Sequence, residues 1–259
     1  MKAHFESARL TNTSRDILLL TIGRGRLLAV SCDAAGGIGS KPLDKVRADP
    51  RLVGKMTARV ALMELLATGA DPIAIIGTFP VEPEPTANQV IEGIKEEVRN
   101  ARLRNLRLLY SSEKNVKVNQ TGIGITIVGI VSSSAVKIGR CEEEDEIIAV
   151  GEPYVGQSVI QAEKNQILAE TLDVIKLRTN QFVHELIPVG SKGILYEARN
   201  MAEDSNLFFE PLSSQRINLR KSAGPATVLL CALRKGSFVR VKKALSAKPS
   251  RKIGTLRKR

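Results

Sequence analysis

One short stretch of the chain carries an acid, Asp33, a lysine, Lys41, and a second acid, Glu64. Between the first two run Ala-Ala-Gly-Gly-Ile-Gly-Ser, and glycines at 36, 37 and 39 let a backbone take positive φ and approach a ligand closely. From Met56 to Gly69 the only charges are Arg59 and Glu64. Ala58, Ala61, Leu62, Leu65 and Leu66 form one stripe at helical spacing, and Val60, Met63 and Ala67 form another. A helix apolar nearly all round is buried on more than one side. A carboxylate there is costly unless it meets a cation or a metal. Arg59 lies five residues off and points elsewhere. Glu64 therefore needs a partner from another element, either a structural Lys or Arg or a bound metal. Asp33 and Glu64 both offer oxygen, the donor Mg²⁺ prefers.

A second pattern of the same kind follows later. The apolar run Phe182 to Val189 contains His184 and Glu185 and leads into Gly190-Ser191-Lys192-Gly193, where a helix begins. Free N–H groups at a helix start, with a lysine, make an anion site. The same residues also fit an ordinary strand-to-helix turn, and a lone His on an apolar strand also fits a hydrogen-bonded core residue. Between the two patterns, Asn119 to Val131 is a β run punctuated by Gly122, Gly124 and Gly129. Glycine inside a strand marks close backbone approach, to a packed neighbour or to a ligand.

The elements that must hold these residues are legible from periodicity. Residues 16–32 read as a hairpin turning at Gly23-Arg24-Gly25, whose second strand breaks at Asp33. A helix over 52–69 ends at Gly69 before Pro72. A strand from Pro72 to Phe79 leads to a proline-rich connection, with Thr86 as N-cap of an amphipathic helix over 87–104. Strands are expected at 106–110, 119–131, 182–189, 205–210 and 226–233, and helices at 159–177, from Gly193 through Met201, and at 213–221. The acidic cluster Glu142 to Glu146 reads as a solvated linker. The expected layout is residues 1–145, residues 146–241, and a disordered basic tail over 242–259.

The acid, the Gly-rich loop with its lysine and the helix ending Met63-Glu64-Leu65-Leu66-Ala67-Thr68-Gly69-Ala70-Asp71-Pro72 resemble the AIR synthase superfamily. That superfamily carries Asp-Gly-Val-Gly-Thr-Lys, then an Asp before a Gly-Ala-x-Pro helix end. Here three extra residues separate Asp33 from Gly39-Ser40-Lys41, and Glu64 stands in place of the Asp. Gly151-Glu-Pro-Tyr-Val-Gly156 and Ser222-Ala-Gly-Pro also match, so the resemblance covers about residues 27–234, nearest to the α-ribazole kinase branch. It implies an α/β (α+β) two-domain fold, whose N-terminal sheet completes a barrel on homodimerisation and whose C-terminal domain is abbreviated. It also implies ATP and Mg²⁺ as cofactors and phosphoryl transfer to a small molecule. Asp33 and Glu64 would be metal ligands, with Asp33 and Lys41 catalytic. Gly37, Gly39, Ser40, Lys41, Thr121, Gly122 and Gly124 would bind nucleotide. His184, Glu185, Gly190, Ser191, Lys192 and Gly193 would face the substrate, where relatives have a His-Asp or Asp-containing strand end and a Gly-Gly or Asp-Gly helix start. A nucleotide-binding regulator without turnover and an ATP-dependent cyclo-ligase are the alternatives.

Composition narrows the field. The net charge is +12 in 259 residues, but residues 242–259 hold eight Lys or Arg and no acid. With no Trp, three Tyr and six Phe, stacking platforms for single-stranded nucleic acid are scarce, so nucleic acid is not the expected partner. There is no Walker A sequence and no Cys-His-Asp arrangement for covalent catalysis. Three cysteines without metal-like spacing oppose a disulfide framework. No apolar run is long enough to span a bilayer, and the N-terminal residues lack a leader's apolar stretch. The cytoplasm is the expected compartment.

Overall fold

The computed structural model describes residues 10–11, 15–214, 216–245 and 248–258. The N-terminal residues on which the absence of a leader was read lie largely outside them. Strand β1 (Leu10–Thr11) pairs with β2 (Ile17–Gly23), which turns into β3 (Arg26–Gly36) through Arg24 and Gly25, both at positive φ. The chain continues as β4 (Ile38–Gly39), β5 (Val46–Arg47), α1 (Pro50–Ala67), β6 (Asp71–Phe79), α2 (Asn88–Asn100), β7 (Arg107–Ser112) and β8 (Gly122–Ser132). Strand β3 does not break at Asp33. It pairs with β8 from Arg26↔Ser132 to Gly36↔Gly122, and the backbone turns only at Gly37, with φ of 70°.

The first sheet runs β1-β2-β3-β8-β6-β7, six strands. Helices α1 and α2 cover one face. They cross at Gly54 and Gly93, where an added Cβ would strike the backbone of the other helix at Val90 and Arg51. The first half of α1 is capped by Asp49, whose side chain accepts from the Arg51 N–H. Thr86 does not cap α2. It sits in a π turn over Pro83–Ala87, and its hydroxyl donates to Glu82. The opposite sheet face leaves Leu18, Ile22, Ile73, Ile76 and Leu109 exposed.

The remaining elements are β9 (Glu146–Gly151), α3 (Ser158–Lys164), α4 (Thr171–Arg178), β10 (Val183–Pro188), α5 (Ile194–Asp204), β11 (Leu207–Pro211), β12 (Val228–Leu233), α6 (Phe238–Lys242) and β13 (Ser250–Lys258). They build a second sheet, β10-β12-β9-β13-β11. The helix expected over 159–177 is two helices, because Gln166 takes φ of 56° and Glu170 with Asp173 forms a fresh capping box. Among the described residues, 213–221 form turns rather than a helix. There the Asn218 side chain accepts from the Arg220 and Lys221 N–H groups and competes with helical bonding.

The basic tail is the largest correction. Its last nine described residues are β13, paired on both sides between β9 and β11, with Ile253 and Leu256 fully buried. Its charges meet the acidic cluster read as a solvated linker: Lys252 pairs with Glu146, Arg257 with Glu144 and Glu210, and Lys258 with Glu143. Lys248 is buried between Glu170 and Asp173. Residues 246–247 and 259 lie outside the described residues.

Helix α1 joins the two sheets. Its Leu62, Leu65 and Leu66 share one core with Ile148, Val150, Leu186 and Leu229 of the second sheet. Arg59, 1% exposed, is held by Glu97 of α2 at 3.1 Å and by Glu163 of α3 at 2.7 Å. Thr171 of α4 donates to the same Glu97 at 2.6 Å. A buried guanidinium with two carboxylates fixes the relative places of the helices it joins. Among the described residues, no helix is long and apolar enough to cross a membrane.

Candidate active site

Asp33 lies in the wall of a cleft of about 520 Å³ between the two halves. The first half contributes residues 34–38, Lys45 and the α1 residues Val53 and Met56; the second contributes Val155, Val159 and Pro225. Burial pushes the Asp33 carboxyl up to about 6, against the opposing Ala34 N–H and with help from Asp16. The walls are mainly aliphatic, which suits the apolar body of a small ligand and keeps water from a charged end.

Glu64 faces a second, small hollow of about 60 Å³ shared with Arg15, Asp16, Gly190, Ser191, Lys192, Tyr196 and Glu197. Among the described residues it accepts no hydrogen bond and forms no ion pair. Burial raises its carboxyl to about 8, Glu197, Asp16 and Asp33 add to the rise, and Arg15 opposes it. Burial also lifts Glu197 to about 6, although Asn200 Nδ2 donates to it at 3.3 Å. The open question of the partner of Glu64 is thus answered within the described residues: no structural cation binds it.

The donor set here is oxygen only, and acids outnumber cations. Among the described residues, no three Asp, Glu, His or Cys side chains gather closely enough to hold a metal by themselves. Mg²⁺ takes one or two carboxylates and completes its shell with water and phosphate oxygens. Asp33 and Glu64 line separate hollows, both are raised chiefly by burial, and the charge of Asp33 is one of the lesser causes of the rise at Glu64, so each is an oxygen donor that a divalent cation delivered with a phosphate chain could use.

The loop after β3 is arranged differently from the expectation. Lys41 forms an ion pair with Glu82, and both line a separate hollow with residues 113–119. Asp44, unnoticed in the sequence, organises the loop: it accepts from the Thr121 hydroxyl at 2.7 Å, the Thr121 N–H at 2.8 Å and the Lys41 N–H at 2.8 Å. Gly37 N–H donates to Thr121 O at 2.8 Å, and a Cβ on Gly39 would strike the Thr121 side chain. Gly122 and Gly124 sit under Pro80 and Thr78. The Ser40 side chain is exposed, and its carbonyl, with those of Lys41 and Pro42, accepts from Arg47. Gly39, Gly122 and Gly124 are thus packed closely against side chains, while Gly37 also lines the cleft beside Asp33.

The structure splits the second pattern. His184 Nδ1 lies 2.8 Å from Asp145 Oδ2, and Glu185 is fully buried against Arg15 and accepts from the Arg140 N–H at 2.7 Å. Neither lines the hollow at Glu64. Gly190, Ser191 and Lys192 do, and Gly193, with φ of 85°, precedes the first turn of α5. Arg15, Asp16, Tyr196 and Glu197 were missed. Tyr196 and Glu197 follow Lys192 by one helical turn, a spacing visible in the sequence, whereas nothing local marks residues 15 and 16.

Residues 14–131 match the family AIR synthase related protein, N-terminal domain. No curated protein matches the chain in sequence at a significant level. Among solved structures, a thiamine-monophosphate kinase from Stenotrophomonas maltophilia K279a is similar at 16% identity, over 98% of this chain and 90% of that one, with a TM-score of 0.65. AaThiL complexed with AMPPCP and TMP is similar at 14% identity, over 94% and 85%, with a TM-score of 0.60. The hydrogenase maturation protein HypE in complex with ATP is similar at 15% identity, over 98% and 80%, with a TM-score of 0.64. These likenesses establish the fold.

Proposed function

For a chain that belongs to the AIR synthase-related superfamily, we propose an Mg-ATP-dependent phosphotransferase acting on a small molecule, with an α-ribazole-like nucleoside as the leading acceptor. The observation that carries this reading is the pairing of an aliphatic cleft between the halves, lined by Asp33, with a half-buried Glu64 that has no hydrogen-bond or ion-pair partner among the described residues and whose carboxyl is raised to about 8. Solved neighbours are complexed with ATP, or with AMPPCP and TMP. Asp33 and Glu64 are the metal ligands in this reading. They would hold Mg²⁺, which would supply positive charge against the phosphate chain. The aliphatic walls hold the acceptor's body and exclude water from the transfer. The strap from Gly37 through Lys41 keeps the end of β3 in place. The exposed apolar face of the first sheet supports a homodimer, since an uncovered face of that kind marks an interaction surface.

A nucleotide-binding regulator without turnover is favoured by one fact, the commitment of Lys41 to Glu82. Calorimetry with Mg-ATP, and an ADP-release screen with nucleoside, cobamide-precursor and thiamine-type acceptors, separate the readings. The enzyme reading requires Mg-dependent ATP binding, lost in Asp33→Ala and Glu64→Ala, and ADP release with one acceptor class. Binding without release under every acceptor selects the regulator. Normal Mg²⁺ dependence in both variants refutes the site. Light scattering that gives a monomer at micromolar concentration refutes the dimer.

A further inference from the structure

We propose that Lys192 is the cation that meets the γ-phosphate and that Tyr196 holds it in position. The inference rests on the nucleotide reading above and adds to it a residue whose role there was only general substrate contact.

The hollow at Glu64 contains three acids, Asp16, Glu64 and Glu197, and two cations, Arg15 and Lys192. The three non-bridging oxygens of a γ-phosphate are repelled by the acids of this hollow unless a cation is free to turn toward them. Arg15 is engaged: it pairs with Glu185, donates to Asp204 at 3.1 Å and to the Leu186 carbonyl at 3.0 Å. Lys192 forms no salt bridge among the described residues. Its Nζ donates to the neutral Tyr196 hydroxyl at 3.0 Å and stands 4.3 Å from the centre of the same ring. That contact keeps the full charge available while limiting the rotamers of a flexible side chain. Lys192 also immediately precedes Gly193 and the start of α5, so backbone N–H groups and the positive end of the helix lie beside it. The other lysines near the two clefts are less suited. Lys41 is paired with Glu82 beside a different hollow, and the Lys45 side chain, which lines the aliphatic cleft, has no tether among the described residues.

In the transfer, the acceptor oxygen forms a bond to the γ-phosphorus as the bond from that phosphorus to the β–γ bridging oxygen breaks. ADP leaves with the bonding pair, and the acceptor's hydroxyl proton passes to an oxygen of the transferred phosphoryl group. Lys192 keeps its proton throughout and offsets charge on the equatorial oxygens. Tyr196 acts through Lys192 and is a positioning residue.

The test compares binding of Mg-AMPPNP and Mg-ADP by calorimetry, which needs no acceptor. Lys192→Met should lose about tenfold or more in AMPPNP affinity, the size of a charge-assisted hydrogen bond, while ADP affinity stays within about twofold. Lys192→Arg should restore most of the difference, and Tyr196→Phe should fall between. Lys192 and Tyr196 are exposed, so melting temperatures should match that of the parent. Equal losses for both nucleotides, or no loss for either, overturn the role of Lys192 and leave the nucleotide reading standing. A parent protein that binds neither nucleotide overturns both.

Discussion

The chain uses a strand, a glycine-and-lysine loop and a helix twice, at residues 26–67 and at 183–204, and the two copies end in opposite electrostatic states. In the first, the acids that meet the lysine end of the loop are satisfied, while Asp33 at its start is raised by burial. Asp44 accepts three hydrogen bonds, and Glu82 pairs with Lys41, which holds the Glu82 carboxyl below its usual range against a partial cost of burial. In the second, the acids that face the loop are Glu64 and Glu197, and both are raised. The loop sequences look alike, with Gly-Ser-Lys in each, so the motif does not decide which lysine is available. What decides it is whether neighbouring acids of the fold have already claimed it.

The sharpest way to break this contrast is to titrate it. In the unfolded chain Glu64 ionises near 4.5, and in the fold near 8. The folded state therefore binds the proton more tightly. Its penalty is absent below the lower value, grows as pH rises, and is complete above the higher one. Glu64→Gln should stabilise the metal-free protein by on the order of 3 kcal/mol at pH 8, and by almost nothing at pH 4, as read by urea denaturation in EDTA. A loss of stability at pH 8 would mean that Glu64 has a cation partner, and a gain independent of pH that its carboxyl is not raised; either way the contrast between the loops would fail.

Asp44 probes the other side. Asp44→Ala leaves the Thr121 hydroxyl and N–H and the Lys41 N–H without their acceptor, at a site where Asp44 is 6% exposed and Thr121 is 1% exposed. The expected cost is about 2 kcal/mol, with the midpoint shifted to lower urea and an unchanged slope. Glycine substitutions make the same point at smaller scale. Gly39→Ala forces a Cβ onto Thr121 and should cost about 1.5 kcal/mol, whereas a Cβ at Gly190 meets only Glu197 Oε1 at 3.7 Å, so Gly190→Ala should be close to neutral. Equal costs would show that both loops are packed alike.

Much of this was legible before the structure. Apolar runs bounded by turn residues pointed to β2, β3, β6 and β8, and the apolar stripes of α1 to a helix buried on two sides. Glu64 was legible as an acid in need of a partner, because a carboxylate in such a helix is costly wherever it points. The fate of Lys41 was not, since Glu82 sits in a separate segment and nothing local couples them. Strand β13 was missed for a related reason. Eight cations without an acid resemble a solvated tail, yet its counter-charges lie at 143–146 and 210, and its buried side chains reduce to Ile253 and Leu256. Charge complementarity between distant segments becomes visible only when the fold brings them together.

The smallest expected effect comes from the lysine that the sequence made most prominent. Lys41 is largely buried at its side chain, 11% exposed, but Glu82 is 35% exposed, so solvent screens their pairing. Surface and half-exposed ion pairs contribute a few tenths of a kcal/mol to about 1 kcal/mol. Lys41→Met should therefore lower stability by about 0.5 kcal/mol and move the Glu82 carboxyl back toward its ordinary value, visible as a carboxyl resonance titrating at higher pH. The Lys41 backbone N–H still donates to Asp44 in this variant, so the strap keeps its shape. Its effect on the ratio of AMPPNP to ADP affinity should be smaller than that of Lys192→Met. If the order is reversed, the first loop is the phosphate site after all, the Lys41–Glu82 pair opens when nucleotide arrives, and the electrostatic contrast between the two loops describes only the ligand-free protein.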